Sequence, residues 1–486
     1  IAVDAFAMLW LAMRLNVWVD EAYTLHTASS GFRYALHQAV FWELQPPVYF
    51  LLIAALRHVT TSILLARCFS IACVTGALWT AAAISRRFWP DQHPGWLVLA
   101  LAANPFVVSI AVEIRVYALV FLLSALLIYL FLEGYVVTGP WSAYARIAFV
   151  VVAIIALYTQ YYTGFLLPAF AFVLLALRRT PQLIPYLRGM AVVAACAVPI
   201  LFVLRYQIAA HSVMTIGASS PLAALVNESK ALMGGVLALD WLSRPTRWAI
   251  ALACAFATIG LWFARGRGVV KPTARAVIPF VVLASGGVLF AVVLGVVHQP
   301  VTLRYSTALL LPAALCVYAA FAFLPSRPRL ISIAVWTALS LATSAASLAA
   351  SYKEMANIGD WIRVASYIQA HEHAGEPIVT FEPQAALPLA LYYRGPNAIV
   401  PLPRPIDLRR YDLRESALRS TRDVSDVFER LPSARGEVWL VTTAFCRRVP
   451  INFRCELLDQ YVATHYDVRS DQEFYWSRVR LLHRVP

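Results

Sequence analysis

Acidic side chains are scarce where this chain is most apolar: of its 26 Asp and Glu residues, nine precede Ser351. Charged residues are few throughout, 14% of 486 positions against 60% hydrophobic, with a mean hydropathy of +0.68. That balance excludes an ordinary soluble globular protein. No Walker loop, GxGxxG or CxxC framework occurs, so ATP-driven pumping and dinucleotide chemistry lack support. The ten histidines form no metal-ligand pattern: His371 and His373 stand two apart, the wrong spacing for one helical face. No internal repeat is visible, which counts against the many transporters built from repeated halves. Of the seven cysteines, Cys68, Cys73, Cys196, Cys254 and Cys316 lie in apolar segments as small hydrophobes. Cys446 and Cys455 stand nine apart in a polar tail, either free or paired if the tail faces an oxidising compartment.

What is present is hydrophobicity in blocks of roughly 15 to 22 residues, the length a helix needs to cross hydrocarbon, and not the dyad alternation of a barrel. The clearest spans run over 1 to 16, 66 to 85, 96 to 112, 117 to 135, 147 to 161, 163 to 178, 189 to 205, 248 to 264, 276 to 297, 305 to 323 and 330 to 350. The stretch 1 to 15 reads as a first membrane helix and not a signal peptide, having no basic n-region or small-residue cleavage site. A further apolar piece, 46 to 56, follows Pro46-Pro47 and is short for a span, which suits a re-entrant or interfacial segment. The expected class is an α-helical polytopic membrane protein with about 11 to 13 transmembrane helices. Arg86-Arg87, Arg178-Arg179, the run Arg265, Arg267, Lys271, Arg275, and Arg327 with Arg329 then fall on one, cytoplasmic, side. The loop 17 to 62, the segment around Glu113, the loop 206 to 247, the turn 298 to 304 and the tail face outward.

The net charge of +14 comes almost wholly from the first 350 residues, most of it in short loops, because the tail from Ser351 holds 18 basic and 17 acidic residues. Membrane headgroups, not nucleic acid, are its expected partners. Composition thus divides the chain into a membrane domain, 1 to 350, and a small α/β domain, 351 to 486. Within the tail, 360 to 370 has helical spacing, 377 to 381, 438 to 442 and 479 to 482 read as strands, and the Pro- and Arg-rich stretch 394 to 414 reads as a loop.

An ionised carboxylate at membrane depth is costly, so each acid in the first 350 residues needs a reason. Asp20 and Glu21 follow the first span in WVDEAYTLHTASSGF, and Glu43 sits in FWELQPPVYF. Adjacent Asp and Glu cannot share a helical face. One can meet a cavity as the base for an acceptor hydroxyl while the other holds the loop; the plainer role is an interfacial cap. Glu113, Arg115 and Tyr117 interrupt two apolar runs, as a functional group or as an intramembrane ion pair. Arg304-Tyr305 stands at the outward start of a span, where Arg binds phosphate through its forked donors or simply snorkels. Arg67 in LLARCFSIA needs a buried partner unless it too snorkels. Tyr158, Tyr161 and Tyr162 in YTQYYTG suit a sugar platform or an aromatic belt equally.

Taken in order, DE after the first span, ELQPPVYFLL, LARCFSIA, NPFVVSIAVEIRVYAL, LYTQYYTGFLL and LRYSTALLLP resemble the GT-C glycosyltransferases of the protein O-mannosyltransferase and ArnT type. The resemblance covers the membrane region and carries an outward C-terminal domain with it. It implies transfer of a sugar from a polyprenyl-phosphate donor, undecaprenyl phosphate in a bacterial inner membrane, to a glycan, lipid or protein acceptor on the periplasmic side of the cell envelope. By the same resemblance Asp20 is the general base and Glu21 its assistant. Glu43 orients the acceptor or a divalent metal, the one cofactor the resemblance leaves open. Arg67, Arg115, Arg304 and Tyr305 hold the donor phosphate, with Glu113, Tyr117, Tyr161 and Tyr162 in support. Two departures matter. Leu44-Gln45 replace the Glu-Lys that the ArnT type carries before its Pro-Pro, displacing Glu43 by one, and Tyr23-Thr24 replace its Arg-Tyr. They argue against lipid A modification with aminoarabinose and against a metal site of that kind. The competing readings are a transporter or lipid flippase, and a ligase or polymerase using lipid-diphosphate oligosaccharides.

Overall fold

The computed structural model describes residues 1–90, 92–137, 139–212, 221–237, 278–296, 303–321, 324–409, 412–432, 436–444 and 453–485. The span expected at 248 to 264 and much of the loop 206 to 247 lie outside the described residues.

Contacts separate two compact units. The first comprises Ile1–Ala12, Gln45–Leu52 and His58–Ser351. Among its described residues, five helices are long and apolar enough to cross a bilayer: Ile63–Phe88, Tyr117–Val136, Thr180–Ala210, Ile278–Val296 and Ser326–Ser351. The apolar run 96 to 112 is two helices, Gly95–Ala102 and Pro105–Val112, bent by 65°. The bend has a local cause. Asn104 leaves the helical conformation, and its carbonyl oxygen caps the second helix by accepting from Phe106 N–H and Val107 N–H at 3.0 and 3.4 Å, with Pro105 preset for the first helical position. Val48–Val59, the short piece after Pro46-Pro47, is a 12-residue helix. At about 1.5 Å per residue it spans about 18 Å, well short of the hydrocarbon thickness.

Inside this unit Phe131, Tyr135, Phe149, Phe170 and Tyr186 are buried against one another, Phe131 stacking on Phe170 at 4.5 Å. Outside, Phe202 is 78% exposed, Ile331 64% and Trp79 59%. Large side chains of that kind, on helices this apolar, are exposed to lipid rather than to water. The protein is an integral membrane protein.

The second unit gathers Met13–Leu44, Ile53–Arg57 and Tyr352–Pro486. Its centre is a five-stranded sheet, β1 (Ile378–Phe381), β2 (Ile399–Pro401), β3 (Glu437–Thr443), β4 (Tyr466–Phe474) and β5 (Ser477–Arg484), in the order β2-β1-β3-β5-β4. β2, β1 and β3 run parallel, while β5 is antiparallel to both β3 and β4. Strand alternation sorts side chains to two faces. Ile378, Trp439, Val441 and Val479 pack under the helix Trp361–His371, which Asp360 caps by accepting Arg363 N–H. Val379, Phe381, Val438, Leu440 and Leu482 pack under Thr421–Phe428 and Cys455–His465 on the other face. Cys455 is disulfide-bonded.

The helix and the three expected strands are present, and the sequence pattern missed two. β2 is three residues inside the Pro-rich stretch, and β4 carries Asp467, Arg469, Asp471 and Glu473 along an exposed edge. Charged edge strands resist pairing with other chains, and for that reason they lose the hydrophobic pattern by which strands are recognised.

Just past β1 lies a fully buried acid, Glu382. Burial pushes its carboxyl from an ordinary value of 4.5 up to about 8, with hydrogen bonds from Thr443 and Gln384 only partly opposing. Because the folded-state value is raised, the native chain holds a proton that the unfolded chain has released between those two values. The stability this contributes is complete below pH 4.5 and declines as pH rises through about 8. Thermal unfolding of the whole chain in detergent is expected to show that decline between about pH 5 and about pH 9. In Glu382→Gln, which is neutral at every pH, the same series should be flatter.

Candidate active site

The acidic loop belongs to the second unit. The helix Val19–Thr27 begins after Trp18, whose N–H donates to Glu21 Oε2 at 3.1 Å. Glu21 is fully buried, so its carboxylate is an N-terminal cap. Asp20, its neighbour, faces a different direction on the helix and is half-buried, in a first turn where the helix dipole favours negative charge. Glu43 closes the other end: Thr27 Oγ1 donates to Glu43 Oε1 at 3.2 Å. Two of the three acids therefore tie down the ends of one short helix, and Asp20 lies between them.

That helix is anchored by the tail. Asn16 Nδ2 donates to Gly359 O at 2.6 Å and its Oδ1 accepts Asn357 N–H at 3.1 Å, while Val17 N–H donates to Tyr392 Oη at 2.7 Å. Val19, Tyr23 and Trp42 are buried in the same cluster as Trp361, Leu389 and Trp439. Tyr23 meets Trp42 edge to face at 4.8 Å, and Trp42 Nε1 donates to Asp407 O at 3.2 Å. None of the hydrogen bonds to the tail is signalled by sequence spacing, because each joins residues more than 300 apart in the chain.

The basic and aromatic candidates lie in the first unit. The chain breaks between Pro105–Val112 and Tyr117–Phe131, and Glu113 and Arg115 occupy that break, both buried. Ser70 Oγ donates to Glu113 O at 2.7 Å and Ser109 Oγ to Glu113 Oε1 at 2.9 Å. Arg304 approaches the same carboxylate at 3.9 Å with its guanidinium 5.9 Å above the Tyr117 ring. Tyr305, next in sequence, lies against Tyr162 at 5.3 Å, and Tyr162 in turn meets Phe290. Arg67 is buried one helical turn before Ser70 and donates to Ala12 O at 2.8 Å. Tyr161 is hydrogen-bonded to Gln207. Glu113, Arg304, Tyr305, Tyr117 and Tyr162 thus form one group, in which Glu113 orients a one-third-exposed Arg304. The guanidinium thus has a carboxylate and an aromatic face beside it. Ser70 and Ser109, which hold Glu113, carry no sequence signal, since serine in a membrane helix is commonplace. Among the described residues no group of three or more His, Cys, Asp or Glu side chains is arranged to hold a metal ion.

No protein-family model matches the sequence, and no curated protein matches it either. Two solved structures match it almost end to end. ArnT from Cupriavidus metallidurans bound to undecaprenyl phosphate superposes with a TM-score of 0.59 at 14% identity, covering 99% of this chain and 97% of that one. The apo state of the same protein gives 0.60 at 14% identity, covering 99% and 96%. The chain has the GT-C fold. At this identity the likeness speaks for architecture, an apolar helical region with a small α/β tail, and the GT-C expectation drawn from the order of the motifs is met.

The Asn16–Val17 anchor has a measurable weight. Tyr392→Phe deprives the Val17 N–H of its acceptor, and an unpaired buried donor costs about 1 to 3 kcal/mol. The expected result is a lower unfolding temperature, with faster hydrogen exchange confined to the acidic loop and the helix Ala386–Tyr392.

Proposed function

We propose that the protein is an inverting glycosyltransferase that moves a sugar from a polyprenyl-phosphate carrier to an acceptor on the extracytoplasmic side of the membrane. In a bacterium this would be the periplasmic side of the inner membrane. The observation that carries the reading is Arg304, oriented by Glu113 over Tyr117, in a chain with the fold of an enzyme crystallised with undecaprenyl phosphate. A guanidinium beside a carboxylate and an aromatic face presents forked donors of the kind that bind a lipid phosphate.

In the proposed reaction Asp20 takes the proton of the acceptor hydroxyl as its oxygen attacks the anomeric carbon. The bond from that carbon to the phosphate oxygen breaks, and the lipid phosphate leaves with the electron pair. A phosphate leaving group is stable as an anion near neutral pH, so no general acid is needed. Arg304, Arg67 and Arg115 stabilise the developing charge. Glu21 keeps the Asp20 helix in place, Glu43 orients the acceptor, and Tyr305, Tyr162 and Tyr161 supply aromatic walls for the donor.

With labelled polyprenyl-phosphate sugar and purified protein, the expected product is free polyprenyl phosphate, which neither a transporter nor a flippase releases. Asp20→Asn should retain the fold and lose roughly 10²- to 10⁴-fold in turnover, the usual weight of a general base. Wild-type turnover in that variant would remove Asp20 from the chemistry. Arg304→Gln should raise the donor KM about tenfold or more, the loss of a charge-assisted hydrogen bond.

A further inference from the structure

The α/β tail holds a cavity that the reaction above does not use. Its volume is about 490 Å³, within the range of about 300 to 1,000 Å³ typical of small-molecule sites and ample for a sugar ring. Thr442, Asp459, Glu473, Trp476, Arg478 and Arg480 are among its walls.

Strand register fixes the face on which these side chains stand. Leu440 of β3 and Leu482 of β5 pack under the helix Cys455–His465, in one core with its Leu458. Side chains alternate along a strand, so Thr442, two residues beyond Leu440, emerges on that same face, as do Arg480 and Arg478, two and four residues before Leu482. Thr442, Arg478 and Glu473 are direct partners across β3, β5 and β4 and form one row. Asp459 follows Leu458 near the start of the helix laid over that face. The cavity lies where the start of the helix meets the row.

Among the described wall residues the charges cancel, Asp459 and Glu473 against Arg478 and Arg480. Both arginines are already engaged, Arg480 with Asp459 at 3.2 Å and Arg478 with both oxygens of Asp471. An anion would meet two carboxylates here, and a cation two guanidinium groups. A neutral ligand rich in hydroxyls meets neither penalty, because a hydroxyl donates to a carboxylate and accepts from a guanidinium or from Thr442.

Trp476 is a second, independent sign. It occupies the tight turn between β4 and β5 with a φ of 56°, a left-handed conformation that such turns ordinarily give to Gly, Asn or Asp. Strained residues of this kind cluster where a site uses them, and this one puts an indole on the cavity wall.

We infer that the tail carries a binding site for a neutral saccharide, its ring against Trp476 and its hydroxyls on Thr442, Glu473 and the two arginines. The site goes beyond the transferase reading, since it involves neither Asp20 nor a lipid donor.

The test uses the full chain in nanodiscs, read by saturation-transfer NMR with a panel of methyl hexopyranosides, galacturonate and glucosamine. At least one methyl hexoside is expected to bind the wild type, ahead of the two charged sugars. Trp476→Gly, whose backbone adopts that turn without strain, should weaken binding about tenfold or more through loss of the aromatic wall. Thr442→Val leaves the turn intact and removes only a hydroxyl, and should weaken binding about fivefold, the weight of one net hydrogen bond. Asp20→Asn should bind as the wild type does. The inference is overturned if no methyl hexoside binds, if binding is unchanged in both tail variants, or if galacturonate or glucosamine binds in preference. Loss of binding in Asp20→Asn would overturn it as well, by moving the sugar to the acidic loop. Release of polyprenyl phosphate enters none of these readouts, so failure of the transferase reading would leave the site standing.

Discussion

A nine-residue helix cannot hold itself together in water, since so few internal hydrogen bonds do not repay the cost of nucleation. Val19–Thr27 persists because Val19 and Tyr23 are buried with Trp42 in the apolar cluster under the tail's sheet, and because Glu21 and Glu43 fasten its two ends. Everything proposed for Asp20 depends on that burial. A base must be held to within a fraction of an ångström of its substrate, and a loop tethered only by its ends would not hold it. The α/β tail is therefore part of the apparatus that presents the acid.

The constraint also explains why composition and contacts divide the chain differently. Composition groups the loop 17 to 62 with the membrane helices it interrupts, while contacts gather Met13–Leu44 with the tail. The forces that join them, Asn16 to Gly359 and Trp42 to Asp407, act across more than 300 residues and leave no periodic trace. Hydrophobic blocks, by contrast, are local and legible: the long apolar helices, the tail helix with its spacing of Trp361, Val364, Ala365 and Ile368, and the strands β1, β3 and β5 all follow from patterns within a dozen residues. The polar interruption at Glu113 was legible too, because an acid amid apolar residues must be answered by a partner. Which partner answered it was not, since Arg304 lies nearly 200 residues away. The strand β4, charged at Asp467, Arg469, Asp471 and Glu473, was hidden by the feature that protects its edge.

Burial alone does not decide the charge of an acid here; the donors that surround it do. Glu376 and Glu382 lie at the two ends of the same short strand, both excluded from solvent. Burial raises the carboxyl of each, but Glu376 accepts from His373 N–H, His373 Nδ1 and Trp439 Nε1, and these bonds hold it below the ordinary range. Glu382, with hydrogen bonds from Gln384 and Thr443, is pushed up to about 8. The difference is physical and local: N–H dipoles directed at one carboxylate, and a largely apolar surround at the other.

The same comparison bears on how the acidic loop is built. A carboxylate kept ionised away from bulk water needs N–H groups aimed at it, and a helix start provides them in excess, because its first four N–H groups have no partner within the helix. Glu21 uses one such arrangement for structure, receiving Trp18 N–H in full burial. That capping leaves Asp20 in the same positive field but outside the cap, half-buried and turned to another face. Two adjacent acids at one helix start thus differ by direction: the buried one fixes the turn, and the other, half-buried, is turned to another face. Exchanging the two would not be equivalent. Glutamate at position 20 would add a rotatable bond where the proposed base has to be held still.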